Sequence, residues 1–217
     1  MRSINYFSKE RMGRALAITV GLTLVAASPA FAHHPMDGMT PMTFGQGLLS
    51  GVGHPIIGLD HFAFLILAAF LASMLKGASR FLVPVAFIGA TVAGTVVHLG
   101  AANIPMAETL IALTVIVGGV LALTRHQFGV LALGALFAVS GLFHGYAYGE
   151  AVVGAEATPL LAYLAGFAII QYSLIVGGII GLEKLATRSE KARSVMTRAG
   201  SAVALATGGV FLALSLT

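Results

Sequence analysis

Six separate apolar runs, at roughly 55–75, 81–99, 107–124, 128–147, 159–182 and 199–216, dominate this chain. Each is long enough to cross the roughly 30 Å hydrocarbon core of a bilayer as a helix. Lipid offers no partner for an exposed backbone N–H or C=O, so a spanning segment must be a helix or part of a closed barrel. The alternating polar and apolar residues of barrel strands are absent. Only 9% of the 217 residues are charged, against about 25% in a soluble domain. The sequence therefore predicts an all-α membrane protein, a bundle of six transmembrane helices at 55–217, with the lipid bilayer as its main partner. Residues 43–51 add a short interfacial turn before the first span.

Ahead of the bundle stands a different pattern. Residues 1–14 carry Arg2, Lys9, Arg11 and Arg14 against one Glu10, followed by an apolar stretch from Ala15 to Ala27 and the sequence Ser28-Pro29-Ala30-Phe31-Ala32. A charged start, a short apolar core and an A-x-A ending describe a cleavable secretory signal over residues 1–32. Cleavage after Ala32 exposes an exported segment, 33–54, that begins His33-His34-Pro35-Met36.

Charge then sets the orientation. With the mature N-terminus outside, the inner loops are 76–80, 125–127 and 183–198. They hold Lys76, Arg80, Arg125, Lys184, Arg188, Lys191, Arg193 and Arg198, every Lys and Arg beyond the signal, while the outer gaps hold Glu150 and Glu156. This obeys the positive-inside rule and predicts a multi-pass protein of a bacterial inner membrane with both mature termini outside. The net charge of +4 is thus a topology signal; nucleic-acid binders gather their basic residues on a solvated face, and no nucleic-acid partner is expected. Three spans followed by three spans would also place the two halves in opposite orientations, as in inverted-repeat transporters. Glycines at four-residue spacing (Gly47/Gly51, Gly141/Gly145/Gly149, Gly177/Gly181) give helices flat faces. Such faces serve packing within the bundle, a homo-oligomer, or a larger membrane complex.

An ionisable side chain inside a span is costly and normally faces a partner or a cavity. His54, Asp60 and His61 open the first span, His98 ends the second, Glu108 begins the third and His144 lies late in the fourth, with Glu150 at the rim. Because neighbouring helices alternate in direction, all fall towards the outer leaflet. Pro55 suits a first helical turn, putting His54 at the helix mouth and His61 two turns deeper on the same face. Imidazoles with a carboxylate suit divalent nickel, cobalt, copper or zinc. The alternative for each is a polar residue that caps a helix end or bonds across helices. His126, beside Arg125, reads as solvated. In the exported segment His33 and His34, with thioethers at Met36, Met39 and Met42, would suit metal capture, Cu(I) included; interfacial Met of no metal function is the competing reading. No cysteine is present, which removes thiolate sites and a cysteine nucleophile. No H-E-x-x-H or other general-base motif accompanies the histidines, so an intramembrane metalloenzyme is disfavoured and the chain reads as no enzyme.

An exported His, the motif His54-Pro55-Ile56-Ile57-Gly58-Leu59-Asp60-His61, the start of the third span at Glu108-Thr109-Leu110-Ile111-Ala112 and Phe143-His144-Gly145-Tyr146-Ala147 in the fourth resemble the HupE/UreJ family of nickel/cobalt permeases. The resemblance covers essentially the whole mature chain. It implies a secondary transporter for uptake of a divalent metal, with nickel or cobalt ahead of copper or zinc as substrate and no tightly held cofactor. It implies that His54, Asp60 and His61 form the metal site, with His33, Glu108, His144 and Phe87 as further family positions. The chain departs from the family where Tyr148 stands for a second His, where the acid moves to Glu150, and where Ile175, a turn after Gln171, occupies a position often His. The Tyr-Gly-Glu form resembles the cyanobacterial variant. These departures support an alternative, a non-transporting accessory or structural subunit on the same scaffold.

Overall fold

The structure, a computed structural model, describes residues 39–125 and 127–217. The signal segment, His33, His34 and His126 lie outside the described residues. Those described form seven helices: α1 (Phe44–Ile57), α2 (Leu59–Ala72), α3 (Ser79–Leu99), α4 (Ala107–Thr124), α5 (Val130–Glu150), α6 (Ala157–Arg188) and α7 (Glu190–Ser215). Among the described residues there is no strand. Five of the helices are long and apolar enough to cross a membrane, and α1 with α2 makes a sixth span if that bent pair is counted as one.

The first span differs from its expected form. Rather than one straight helix from 55 to 75, the chain makes two 14-residue helices that meet at Gly58 with a 76° bend. The supposed interfacial turn at 43–51 is the body of α1. Thr43 starts it with a reciprocal cap, its hydroxyl accepting from the Gln46 backbone N–H while the Gln46 side-chain Oε1 accepts from the Thr43 N–H. Pro55 stands in the last turn of α1, not the first of a span, and the missing N–H helps end the helix there. Gly58 makes the corner possible. A Cβ on it would lie 2.6 Å from His61 Cδ2.

The expected inner loop at 183–198 is also almost wholly helical. Only Ser189 interrupts it, leaving α6 in an extended conformation and capping α7 by accepting from the Ala192 N–H.

Between helices in lipid there is no hydrophobic drive, so association rests on close van der Waals contact and on small residues that permit it. Two helix pairs use this device identically. In the first, a Cβ at Gly47 or Gly51 of α1 would run into the Pro159 or Tyr163 carbonyl of α6, and Gly166 of α6 gives the same room to Leu48 of α1. In the second, Gly141 and Gly145 of α5 receive the Phe87 and Thr91 carbonyls of α3, and Gly94 of α3 receives Leu142 of α5. Within each pair the helices run parallel. Between pairs the direction reverses, since Tyr172, at the middle of α6, donates to the carbonyl of Phe81, early in α3, while Leu99, at the end of α3, packs on the cluster that holds Tyr163 and Phe167, early in α6. The third pair, α4 and α7, is antiparallel, with Thr109 donating to Ser215 at one end and Gly119 against Leu205 further along.

The short helix α2 lies at the centre. It packs on α4, α6 and α7, and most of its side chains, from Ala63 to Ala72, are buried. A helix apolar on all faces belongs in such a position. Phe64 stacks on Phe87 at 5.0 Å, closing the floor beneath the polar residues at the start of α2.

Candidate functional site

The corner at Gly58 sets the first histidines face to face. His54 comes from the last turn of α1 and His61 from the first turn of α2, with ring centroids 5.7 Å apart. The expectation that they share a side of the span is met, but through a bend rather than helical periodicity. Asp60 stands in the first turn of α2, where the helix dipole favours a carboxylate, and its Oδ1 accepts from the His61 N–H at 2.8 Å. From α5, His144 reaches the same point. All four are at most 1% exposed.

The hydrogen bonds fix the proton positions. Thr114 has one hydroxyl proton, and it goes to the Ile111 carbonyl at 2.7 Å. Thr114 Oγ1 can therefore only accept from His144 Nε2, 3.0 Å away. A neutral His144 then carries no proton on Nδ1, and the 2.7 Å contact between the Nδ1 atoms of His61 and His144 makes His61 the donor. The same logic holds on the other side. Tyr163 donates to the Tyr148 carbonyl at 2.9 Å, so its oxygen accepts from His54 Nδ1 at 2.8 Å. Both neutral rings, His54 and His61, then bear their lone pair on Nε2. Asp60 Oδ2 is buried without a hydrogen bond, and the carboxylate is close enough to act electrostatically on His144 and Tyr148.

Around these donors stand aromatic walls. The Tyr148 ring lies 4.8 Å from His54 and 4.6 Å from His61. Phe64 and Phe87 lie 4.8 and 5.7 Å from His144. The Thr91 hydroxyl donates to the Ile88 carbonyl at 2.7 Å and lies 3.2 Å from the side-chain oxygen of the buried Gln171.

The other expected site residues stand apart from this cluster. His98, at the end of α3, is half-buried against Tyr146, with ring centroids 4.5 Å apart. Glu108 is half-buried in the first turn of α4, and Glu150 is exposed at the end of α5. Among the described residues, no three His, Asp or Glu side chains already form a group that could hold one metal ion. The sequence reading missed Tyr163 and Thr114, which set the tautomers. A phenol inside a span needs a hydrogen-bond partner, and that requirement was the available signal for Tyr163. Tyr148 and Gln171, read from sequence only as departures, are part of the wall.

These features define a multi-pass, all-helical membrane protein with a buried His/Asp/Tyr cluster where a broken helix meets α5 and α6. Residues 21–212 match the model of the HupE / UreJ protein family. Protein HupE of Rhizobium leguminosarum bv. viciae is 37% identical over 187 residues, covering 85% of this chain and 92% of that protein. The chain belongs to the HupE/UreJ family. No solved structure matches it. The family is one of membrane accessory and permease proteins, not of enzymes.

Proposed function

We propose that the chain is a secondary transporter that takes up a divalent transition metal, nickel or cobalt first, with copper or zinc less suited. The carrying observation is the pair of hydrogen-bond chains that turn His54 Nε2 and His61 Nε2 into lone-pair donors beside the Asp60 carboxylate. A metal-binding His typically donates its other ring N–H to a fixed partner, which sets its tautomer and raises its basicity; Tyr163 and His144 are those partners. His54, His61 and Asp60 would hold the ion. Phe64, Phe87 and Tyr148 would exclude water from it, and Thr114 would hold His144 in register. Two imidazoles and a carboxylate suit nickel, cobalt, copper or zinc, and membership of this family puts nickel and cobalt first.

The metal is then a substrate rather than a resident ion, and conduction requires it to be held weakly enough to leave as well as enter. His98, Glu108 and Glu150 would then serve the route outside the cluster, and His33 and His34 would capture the ion at its mouth.

The positive-inside pattern supports an inner-membrane orientation with the basic ends of α2, α4, α6 and α7 in the cytoplasm, after removal of residues 1–32. The repeated glycine–carbonyl pattern supports an inverted repeat, α1 to α4 against α5 to α7. In that reading α1 corresponds to α5 and α3 to α6, as the two parallel pairs of opposite direction require. Inverted repeats commonly bind substrate where the halves meet, at discontinuous helices, and the break at Gly58 lies beside the histidines.

The test is uptake of radioactive nickel and cobalt by cells expressing the protein, beside Asp60→Asn and His61→Ala variants at equal membrane abundance. Uptake should fall at least about tenfold in each, as for loss of a ligand or its support. Full uptake by both variants would remove the cluster from the transport path. No uptake by the unaltered protein, correctly inserted, would favour the accessory-subunit reading.

A further inference from the structure

Two recesses at the basic end of the bundle share one wall. Between α2, α6 and α7 lies a groove of about 190 Å³ whose lining, Leu65, Ile66, Phe70, Leu174, Gly178 and Met196 among it, is apolar throughout. Phe70 also borders a second recess formed by Ser73, Met74, Arg125, Arg193, Ser194 and Thr197. An apolar groove along the central helix thus adjoins, across Phe70, a recess lined by two guanidinium groups and three hydroxyls.

The charge there is fixed. Arg193 donates to both carboxylate oxygens of Glu190, at 2.9 and 2.7 Å, and Arg125 lies 3.8 Å from the same carboxylate. Two arginines against one glutamate leave a positive excess. The adjoining stretch adds Lys184, Arg188, Lys191 and Arg198, while its other acid, Glu183, is paired with Arg80. Arginine suits a phosphate because its planar fork can give two parallel hydrogen bonds.

We propose that this is a binding site for one anionic phospholipid of the leaflet at the basic end. An acyl chain lies in the groove against α2, and the phosphate lies on Arg125 and Arg193, with Ser194 and Thr197 as hydroxyl donors. The two recesses favour a lipid over a soluble phosphate because they adjoin at Phe70, which lines both: a free anion on the arginines would leave the apolar groove without its occupant. Basic pockets between membrane helices commonly take lipid headgroups in this way. The site is independent of the metal reading, although its acyl chain would pack on the helix that carries Asp60 and His61.

The test is native mass spectrometry of the purified full chain in detergent, with equal amounts of dioleoyl phosphatidylglycerol and dioleoyl phosphatidylcholine. The anionic lipid should be retained about tenfold or more over the neutral one, since two juxtaposed arginines contribute roughly fivefold each. Arg125→Gln/Arg193→Gln should abolish the preference. Met196→Trp, which narrows the groove and keeps both arginines, should lower retention of the anionic lipid. Equal retention of the two lipids by the unaltered protein, or an unchanged preference in the double variant, would overturn the proposal. So would displacement of the lipid by millimolar glycerol phosphate, which would make the recess a site for a soluble anion. If the double variant fails to fold, the lipid preference of the unaltered protein and the Met196→Trp result decide the matter.

Discussion

The α1·α6 and α3·α5 pairs have the same frame and different contents. Each has two glycines on one helix that accept the carbonyls of its partner, and a third glycine that returns the contact. His54 follows Gly51 at the same distance that Tyr148 follows Gly145, and Tyr163 and Thr91 supply the carbonyls against those second glycines. Yet one frame holds an imidazole bonded to a phenol, and the other a phenol beside Gln171 and Thr91. Ser50, just before Gly51, is buried in the first frame; its counterpart before Gly145 is His144. Backbone packing here demands only small residues at three positions, so side chains one or three places away are free to carry chemistry.

The largest effect should come from breaking the frames themselves. Gly51→Leu and Gly145→Leu each drive a side chain into a backbone carbonyl that has no rotamer to escape by. Overpacking of this kind costs about 3 kcal/mol, and pushing the helices apart also forfeits contacts along their length. Either variant should be lost from the membrane or melt far below the unaltered protein in a detergent thermal-shift assay. Gly177→Leu, where a Cβ meets nothing within 4 Å, should melt normally. Equal damage from all three would show that the glycine–carbonyl contacts do not hold the pairs together.

A smaller effect, confined to one frame, should follow Tyr163→Phe. The ring and its packing stay, but the oxygen that takes the proton of His54 Nδ1 is gone. His54 can then turn or change tautomer, and the Tyr148 carbonyl loses its donor. Loss of a partner that orients a metal-binding histidine typically costs 10–100-fold in metal affinity. The apparent KM for nickel or cobalt uptake should rise by about that factor with near-normal protein abundance. A loss of abundance with unchanged KM would make Tyr163 a packing residue only.

The sequence and the structure part company at identifiable places. Helix existence was legible because backbone groups in lipid leave no alternative, and the boundaries of the α4 span, 107–124, agree with the helix to the residue. The 76° corner was not legible. Gly58 and Pro55 permit a break but do not set its angle, which goes with the docking of α1 along α6, a contact between residues more than a hundred positions apart. The candidate site shows the same limit. His54, Asp60, His61 and His144 could be chosen from sequence because burying an ionisable group is expensive. Their separation from His98, Glu108 and Glu150 depends on depth within the bundle, which alternation of helix direction does not specify. Tyr163 and Thr114 act by accepting protons from imidazoles, and only the three-dimensional pairing shows which proton goes where.

The smallest effect should come from making the two frames alike. Tyr148→His would give both frames an imidazole after the second glycine and, in the wild-type arrangement, would aim it between His54 and His61, whose rings now lie 4.8 and 4.6 Å from the Tyr148 ring. Imidazole is smaller than phenol, so it fits. If Tyr148 serves chiefly as an aromatic wall, the added ligand should strengthen binding and slow release. Uptake should then saturate at a lower nickel concentration, with KM down a few-fold, on the order of what one added hydrogen-bonded donor contributes, and the maximal rate should fall with it. A raised KM instead would mean that the phenol contributes to binding directly and that the two frames differ in function as well as in content.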